Sequence, residues 1–359
     1  MNQILKKGIS LLLVVVMMWM TTSPLLAGTQ SDKKEEKSVP GLSMPKIRGT
    51  LRGRYEYQTG PAMSRFELRN ARLSADGTLP LRAFYKMEVD FCDEGNVKIK
   101  DMYAGLIPFK NFTVSIGEQR MPFTIDAHRT PQTYFFANRS FICKQTQGIR
   151  DVGIRMGYTL TAPFRMIVEG GVSNGSNYAK EKTAWHKPGI FSFRLQMFPY
   201  DVWNLSASVQ RAHTMSGNIY HTDYDLATYY EDERWHLAFE YLHKHYQQQA
   251  FDDIHAIDAF ASYHTPIKRG FFQGISFRGR YDYMTDFSDG KSGFDEQNPT
   301  RLLLTDYERH RMTLGIVLHV RNPYFLTDLR LNYENYWYPH GGAKESEQTK
   351  LVAELLIRF

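Results

Sequence analysis

Along most of the chain, apolar residues recur at every second position. In residues 47–57 the odd positions hold Ile47, Gly49, Leu51, Gly53, Tyr55 and Tyr57, while Arg48, Thr50, Arg52, Arg54 and Glu56 fill the even ones. A period of two belongs to an extended strand, whose successive side chains point to opposite faces; one face here is apolar and the other cationic. The split returns where Ala83, Tyr85, Met87, Val89 and Phe91 stand against Arg82, Lys86, Glu88 and Asp90. It returns again where Leu329, Leu331, Tyr333 and Trp337 alternate with Asp328, Arg330, Asn332 and Glu334, and where Leu351, Ala353, Leu355, Ile357 and Phe359 share a face. Residues 97–106 and 220–230 are less regular strands of the same kind.

The connections between strands alternate in length. Short ones are expected at 76–81, 107–111, 161–163, 199–201, 231–233, 266–273 and 321–323. The intervening set, at 58–64, 92–95, 118–147, 173–189, 211–219, 247–252, 285–306 and 339–349, is mostly longer. Seven turns and eight loops join about sixteen strands, with both ends of the barrel on the short-turn side. A soluble sandwich gives no reason for loops to alternate in this way. The pattern predicts an all-β transmembrane antiparallel β-barrel over residues 47–359.

Composition changes this picture little. The mean hydropathy of −0.44 would suit a soluble protein, but only half of each barrel strand faces lipid. Fourteen per cent aromatic residues suit girdles at two membrane interfaces. At the N-terminus, Lys6 and Lys7 precede an apolar run at 11–20 and the small residues Ala27 and Gly28, so residues 1–27 are expected to be a signal peptide. Thr29 stands where a lipoprotein would need cysteine. Residues 28–46, rich in Lys, Glu, Ser and Pro, are expected to be a flexible periplasmic leader. Removing the signal takes two lysines and no acidic residue, so the net charge of +6 falls to +4, too mild for a nucleic-acid footprint.

Several short motifs, in order, resemble the phosphate-selective porins O and P. They are Arg69-Asn70-Ala71-Arg72-Leu73 with Gly77, Gly117-Glu118-Gln119-Arg120-Met121-Pro122-Phe123, Arg139-Ser140, Arg150-Asp151-Val152-Gly153, Asn174-Gly175 and Arg280-Tyr281-Asp282. The resemblance implies a homotrimeric sixteen-stranded porin in the outer membrane, a lumen lined by Arg and Lys, and an infolded third external loop at 118–147. It also implies small anionic solutes such as phosphate as partners, outer-membrane lipid around the barrel, and no cofactor. A terminal aromatic, Phe359, resembles the signal read by the barrel-assembly machinery.

If the apolar faces meet lipid, the lumen receives Arg48, Arg52, Arg54, Arg82, Lys86, Arg155, Arg165, Arg194, Arg278, Arg280, Arg309, Arg311, Arg330 and Arg358. The same register turns in Glu88, Asp90, Asp151, Glu169, Glu240, Asp258, Asp282, Asp328, Glu334 and Glu354. Excess fixed guanidinium concentrates anions and excludes cations, and its fork matches phosphate oxygens. Many of these arginines must simply pair with carboxylates, as Arg280 with Asp282 and Arg330 with Asp328. Arg48, Arg52 and Arg54 have fewer obvious acidic neighbours and are the preferred permeation residues. Arg120, Arg129, Arg139 and Lys144 are the candidates for the constriction.

No G-x-S-x-G, H-E-x-x-H or phosphate-cradling glycine loop occurs, so no enzyme is expected. His243 and His245 share a strand face and could bind metal, though a rim pair is more often incidental. Cys92 and Cys143 both fall on the long-loop side, where one disulfide is conceivable. Two other functions stay open: a plugged barrel acting as a surface adhesin, and a channel for neutral oligosaccharides.

Overall fold

The computed structural model describes residues 43–359, except 94, 147–149, 176–188, 215–218 and 323. The expected signal peptide and most of the leader lie outside the described residues. Sixteen strands are found among the described residues. The first eight are β1 (Lys46–Gln58), β2 (Met63–Leu79), β3 (Ala83–Asp93), β4 (Asn96–Leu106), β5 (Phe112–Arg120), β6 (Arg150–Leu160), β7 (Arg165–Ser173) and β8 (Ile190–Tyr200). The rest are β9 (Trp203–His213), β10 (Tyr220–Glu231), β11 (Trp235–Tyr246), β12 (Ile254–Pro266), β13 (Phe272–Met284), β14 (Arg309–Val320), β15 (Leu326–Trp337) and β16 (Lys350–Arg358).

Each strand pairs antiparallel with its neighbours in sequence, and β1 pairs with β16, so the sheet closes into a barrel. Closure leaves no row of unpaired amides to face hydrocarbon. The outward face carries Leu51, Phe66, Ile116, Phe191, Leu237, Leu314, Leu331 and Leu355, all exposed, as a lipid-facing belt requires. Aromatic residues gather towards both rims, Tyr200, Trp203, Trp235 and Tyr324 near the short turns and Tyr224, Tyr281 and Trp337 near the long loops.

Two local features depart from the sequence reading. Arg82 does not lie on a strand: it closes the turn between β2 and β3, exposed and with φ at +58°, and so stands at the mouth and not on the wall. In β2 the pairing with β1 jumps from Asn70 opposite Arg52 to Leu68 opposite Gly53, leaving Arg69 as an extra residue. The bulge flips the parity of the strand. Below it the even residues Asn70 and Arg72 are buried, and above it the even residues Phe66 and Leu68 face out. Two connections of the expected long set are as short as turns, 59–62 and 94–95.

One apolar cluster joins the connection between β5 and β6 to neighbouring strands and loops. Phe123, Phe141 and Ile142, from the connection between β5 and β6, pack with Tyr246, Ile254 and Met284 from the strands and with Phe287 and Leu302 from the loop between β13 and β14.

Candidate functional site

The connection between β5 and β6 carries one short helix, α1 (Phe141–Gln145), whose N-cap Ser140 hydroxyl accepts from the Cys143 amide. Its bonds to the walls run round most of the barrel. Thr124 N donates to Ser208 Oγ on β9 at 3.1 Å, and the Thr124 carbonyl accepts from Arg194 on β8 at 2.7 Å. Ile125 N donates to Glu240 on β11 at 2.7 Å, and Phe141 N to Asp282 on β13 at 3.2 Å. The Arg139 carbonyl accepts from Arg311 on β14 at 2.6 Å, the Ala137 carbonyl from Arg52 on β1 at 2.7 Å, and Asn138 donates to Glu334 on β15 at 2.9 Å. Arginine is suited to this work, because its donors can hold a carboxylate and a loop carbonyl together.

Among the predicted constriction residues, Arg120 ends β5 and donates to the His128 carbonyl. Arg129 stacks over Phe135 at 4.7 Å and reaches His236 at 3.3 Å, and Arg139 lies over the Tyr134 ring at 5.4 Å. Lys144 pairs with Glu347 in the loop between β15 and β16. Although burial opposes it, Lys144 and Arg309 hold the Glu347 carboxyl below the ordinary carboxylate range. Burial and the nearby Arg194, Arg155 and Arg120 push the His128 imidazole well below its ordinary value, keeping it neutral.

The predicted wall residues divide by partner. Arg48, Arg52 and Arg54 are not short of acidic neighbours, contrary to expectation: Arg48 pairs with Asp76, Arg52 with Glu354 at 2.6 Å, and Arg54 with Glu67 at 2.5 Å and Glu56 at 3.3 Å. Lys86 meets Asp101 at 2.5 Å, Arg155 and Arg194 share Glu169, Arg309 meets Glu347 at 3.2 Å and Arg311 meets Asp282 at 2.9 Å. The expected pairs Arg280 with Asp282, at 2.8 Å, and Arg330 with Asp328, at 3.6 Å, both form. Arg278 bonds the Phe135 carbonyl and Ser262.

Several buried or half-buried charges went unread, among them four on β2, β4 and β6. Arg72, between Glu88 and Asp90, and Arg69 lie on the bulged β2; Asp101 and Arg150 pair at 2.8 Å from β4 and β6. Arg69 meets Glu67 at 3.6 Å, while Arg52 and Arg139 lie over the Tyr134 ring at 5.5 and 5.4 Å and Arg54 donates to Asn138 at 2.7 Å. The jump in register was the signal that alternation alone cannot supply.

The structure also joins three residues that no motif links. Asp328 Oδ1 lies 2.7 Å from His319 Nδ1, and His319 Nε2 lies 2.8 Å from Ser276 Oγ. That bond order is the one used for acyl transfer, but Ser276 is 3% exposed and its Oγ is also held by His264 at 3.1 Å. At the opposite rim His243 and His245 both bond Asp253, at 3.1 and 2.7 Å. Among the described residues no group of three or more side chains is arranged to hold a metal ion. Cys92 and Cys143 form no disulfide; burial pushes the Cys143 thiol up to about 12.

A closed cylinder with an apolar outside and a charged inside defines an outer-membrane β-barrel channel. Residues 51–254 match the family described as phosphate-selective porin O and P, and the chain belongs to that family. No curated protein sequence matches it. Among solved structures it is similar to an anion-selective porin from Comamonas acidovorans, at 15% identity, TM-score 0.60 and coverage of 88% of this chain and 98% of that one. It is also similar to the outer-membrane channel DcaP of Acinetobacter baumannii, at 14% identity, TM-score 0.59 and coverage of 93% and 100%. OmpT of Vibrio cholerae in its trimer form aligns at 10% identity, TM-score 0.58 and coverage of 88% and 98%. At such identities these likenesses speak to fold alone.

Proposed function

We propose that this channel passes small hydrophilic solutes by passive diffusion and prefers anions, phosphate among them. The observation that carries the reading is the set of guanidinium groups against residues 134–139 of the segment between β5 and β6: Arg52 and Arg139 lie over the Tyr134 ring at 5.5 and 5.4 Å, and Arg54 donates to Asn138 at 2.7 Å. On this reading the segment is folded into the barrel as the constriction, and an anion passing it exchanges water for guanidinium donors already aimed at carboxylates. Arg48, Arg82 and Lys86 extend the positive field towards the short-turn mouth. A homotrimer, with insertion directed by the β16 strand ending in Phe359, completes the proposal.

The test is a reversal potential across planar bilayers in a potassium chloride gradient. Chloride should permeate several-fold better than potassium, inorganic phosphate should compete, and neutralising Arg54, Arg69 and Arg139 together should reduce the preference. Cation preference in the unaltered protein would reject the assignment. A second reading, a plugged adhesin, draws on the bonds that join the inner segment to both β1 and β9. Absence of conductance steps would favour it.

A further inference from the structure

The wall arginines are answered from neighbouring strands or from the connection between β5 and β6, but the short-turn rim breaks that rule between β12 and β15. The turn after β12 carries Lys268 and Arg269, both exposed, and among the described residues neither side chain has an ion pair or a hydrogen bond. The turn after β14 opens with Arg321, also exposed. Its guanidinium donates to the Ile267 carbonyl at 2.7 Å and its amide to the Phe271 carbonyl at 2.9 Å, so the two turns are fastened into one platform. Phe271, 68% exposed, and Tyr324, 87% exposed, belong to the same two turns. We infer that this platform binds the headgroup of an anionic phospholipid in the inner leaflet of the outer membrane.

Position and charge both point to that occupant. Short turns of an outer-membrane barrel face the periplasm, so the platform stands level with the headgroups of the inner leaflet, the depth at which amphipathic aromatic rings collect. Residues 267–271 and 321–325 hold three cations and no carboxylate. Like charges on two joined turns repel, and a phosphate between them turns that repulsion into attraction. Arginine's fork holds two phosphate oxygens at once, and lysine adds a point charge. The exposed rings of Phe271 and Tyr324 supply apolar contact beside the headgroup.

The acidic turn between β10 and β11, next along the rim, does not serve as the counter-charge. Its Asp232 accepts from the amides of Arg234 and Trp235 through Oδ1, at 2.7 and 2.6 Å, and from the Tyr230 hydroxyl through Oδ2 at 2.8 Å. Glu231 lies 3.5 Å from His236, and the exposed Glu233 is followed directly by Arg234. On the other side Asp328 of β15 bonds His319 at 2.7 Å and lies 3.6 Å from Arg330. The carboxylates flanking the platform thus have partners of their own, and Lys268 and Arg269 are left to an outside one.

The experiment adds short-chain phosphatidylglycerol or phosphatidylcholine to the intact protein in nonionic detergent and counts bound lipid by native mass spectrometry. The unaltered protein should retain phosphatidylglycerol about tenfold better than phosphatidylcholine at low salt, and the preference should shrink as salt is raised. The variant K268Q/R269Q removes no bond within the described residues; it should fold alike, as heat-modifiable mobility reports, and lose most of the preference. Equal retention of the two lipids by the unaltered protein, or an undiminished preference in the variant, would overturn the inference. Excess inorganic phosphate should leave the lipid bound; if it displaces phosphatidylglycerol, the platform is a site for free anions and the inference fails. None of these readings depends on conductance, so the channel reading stands or falls separately.

Discussion

An arginine turned into a barrel can hold its charge only if something answers it, and the answer usually comes from another strand. Arg52 illustrates the point. It is 2% exposed, and its carboxylate partner Glu354 lies 302 residues away in sequence, brought alongside only when β1 and β16 close. Alternation assigns Arg52 and Arg54 to one strand face, because period two is a local property. It could not tell what they meet, since their partners come from β16, from the bulged β2 and from the connection between β5 and β6. Replacing Arg52 with Gln should cost about 3 kcal/mol, because Glu354 would keep a buried charge with only Arg330 at 3.2 Å to answer it. The melting temperature of the folded form in detergent, read by its heat-modifiable mobility, checks this. The cysteines allow a second test. Cys143 is buried and its thiol is pushed up to about 12, so a maleimide at pH 7.5 should leave it unmodified until the protein is unfolded, with any native labelling confined to Cys92.

At the scale of elements, the strand boundaries were legible to within a few residues, because loop length and alternation report the same topology twice. The bulge at Arg69 was not, since one unpaired residue looks like a broken pattern until the neighbouring strand supplies the register. Arg82 failed for a related reason: it has the parity of a wall residue but belongs to the turn. The long connection between β5 and β6 was recognisable by length, whereas its fastening was not. Glu347, from the loop between β15 and β16, ties Lys144 of α1 and Arg309 of β14 together. Its carboxyl lies below the ordinary range in the folded protein, so its stabilising contribution is complete above the unfolded value near 4.3. That contribution is lost as pH falls through the lower, folded value. A Glu347→Gln variant should therefore be less stable at pH 7 by about 2 kcal/mol, discounted because Lys144 is half exposed. It should also lose part of the acid destabilisation that the unaltered protein shows below pH 4. Thermal melting at pH 7 and pH 3.5 would show both effects, and an equal loss at both pH values would count against the clamp.

Over the whole molecule, everything depends on joining the first strand to the last, and the join has a specific shape. Gly49 and Phe359 exchange both backbone bonds, Gly49 N to the Phe359 carbonyl at 2.9 Å and Phe359 N to the Gly49 carbonyl at 3.1 Å. The Phe359 ring then lies over Gly49 so closely that a Cβ there would stand 2.1 Å from its tip. Glycine is needed for the close approach, and its backbone angles are not left-handed. A Gly49→Val variant must expel the ring or bend the seam, and overpacking of this kind costs roughly 1–3 kcal/mol. The melting temperature should fall accordingly. The informative comparison is with Phe359→Ala: if the clash is with the ring, adding Gly49→Val to that variant should cost much less than it costs alone. Full additivity of the two changes would mean that the valine disturbs the seam through its backbone and that the ring contributes nothing to closure.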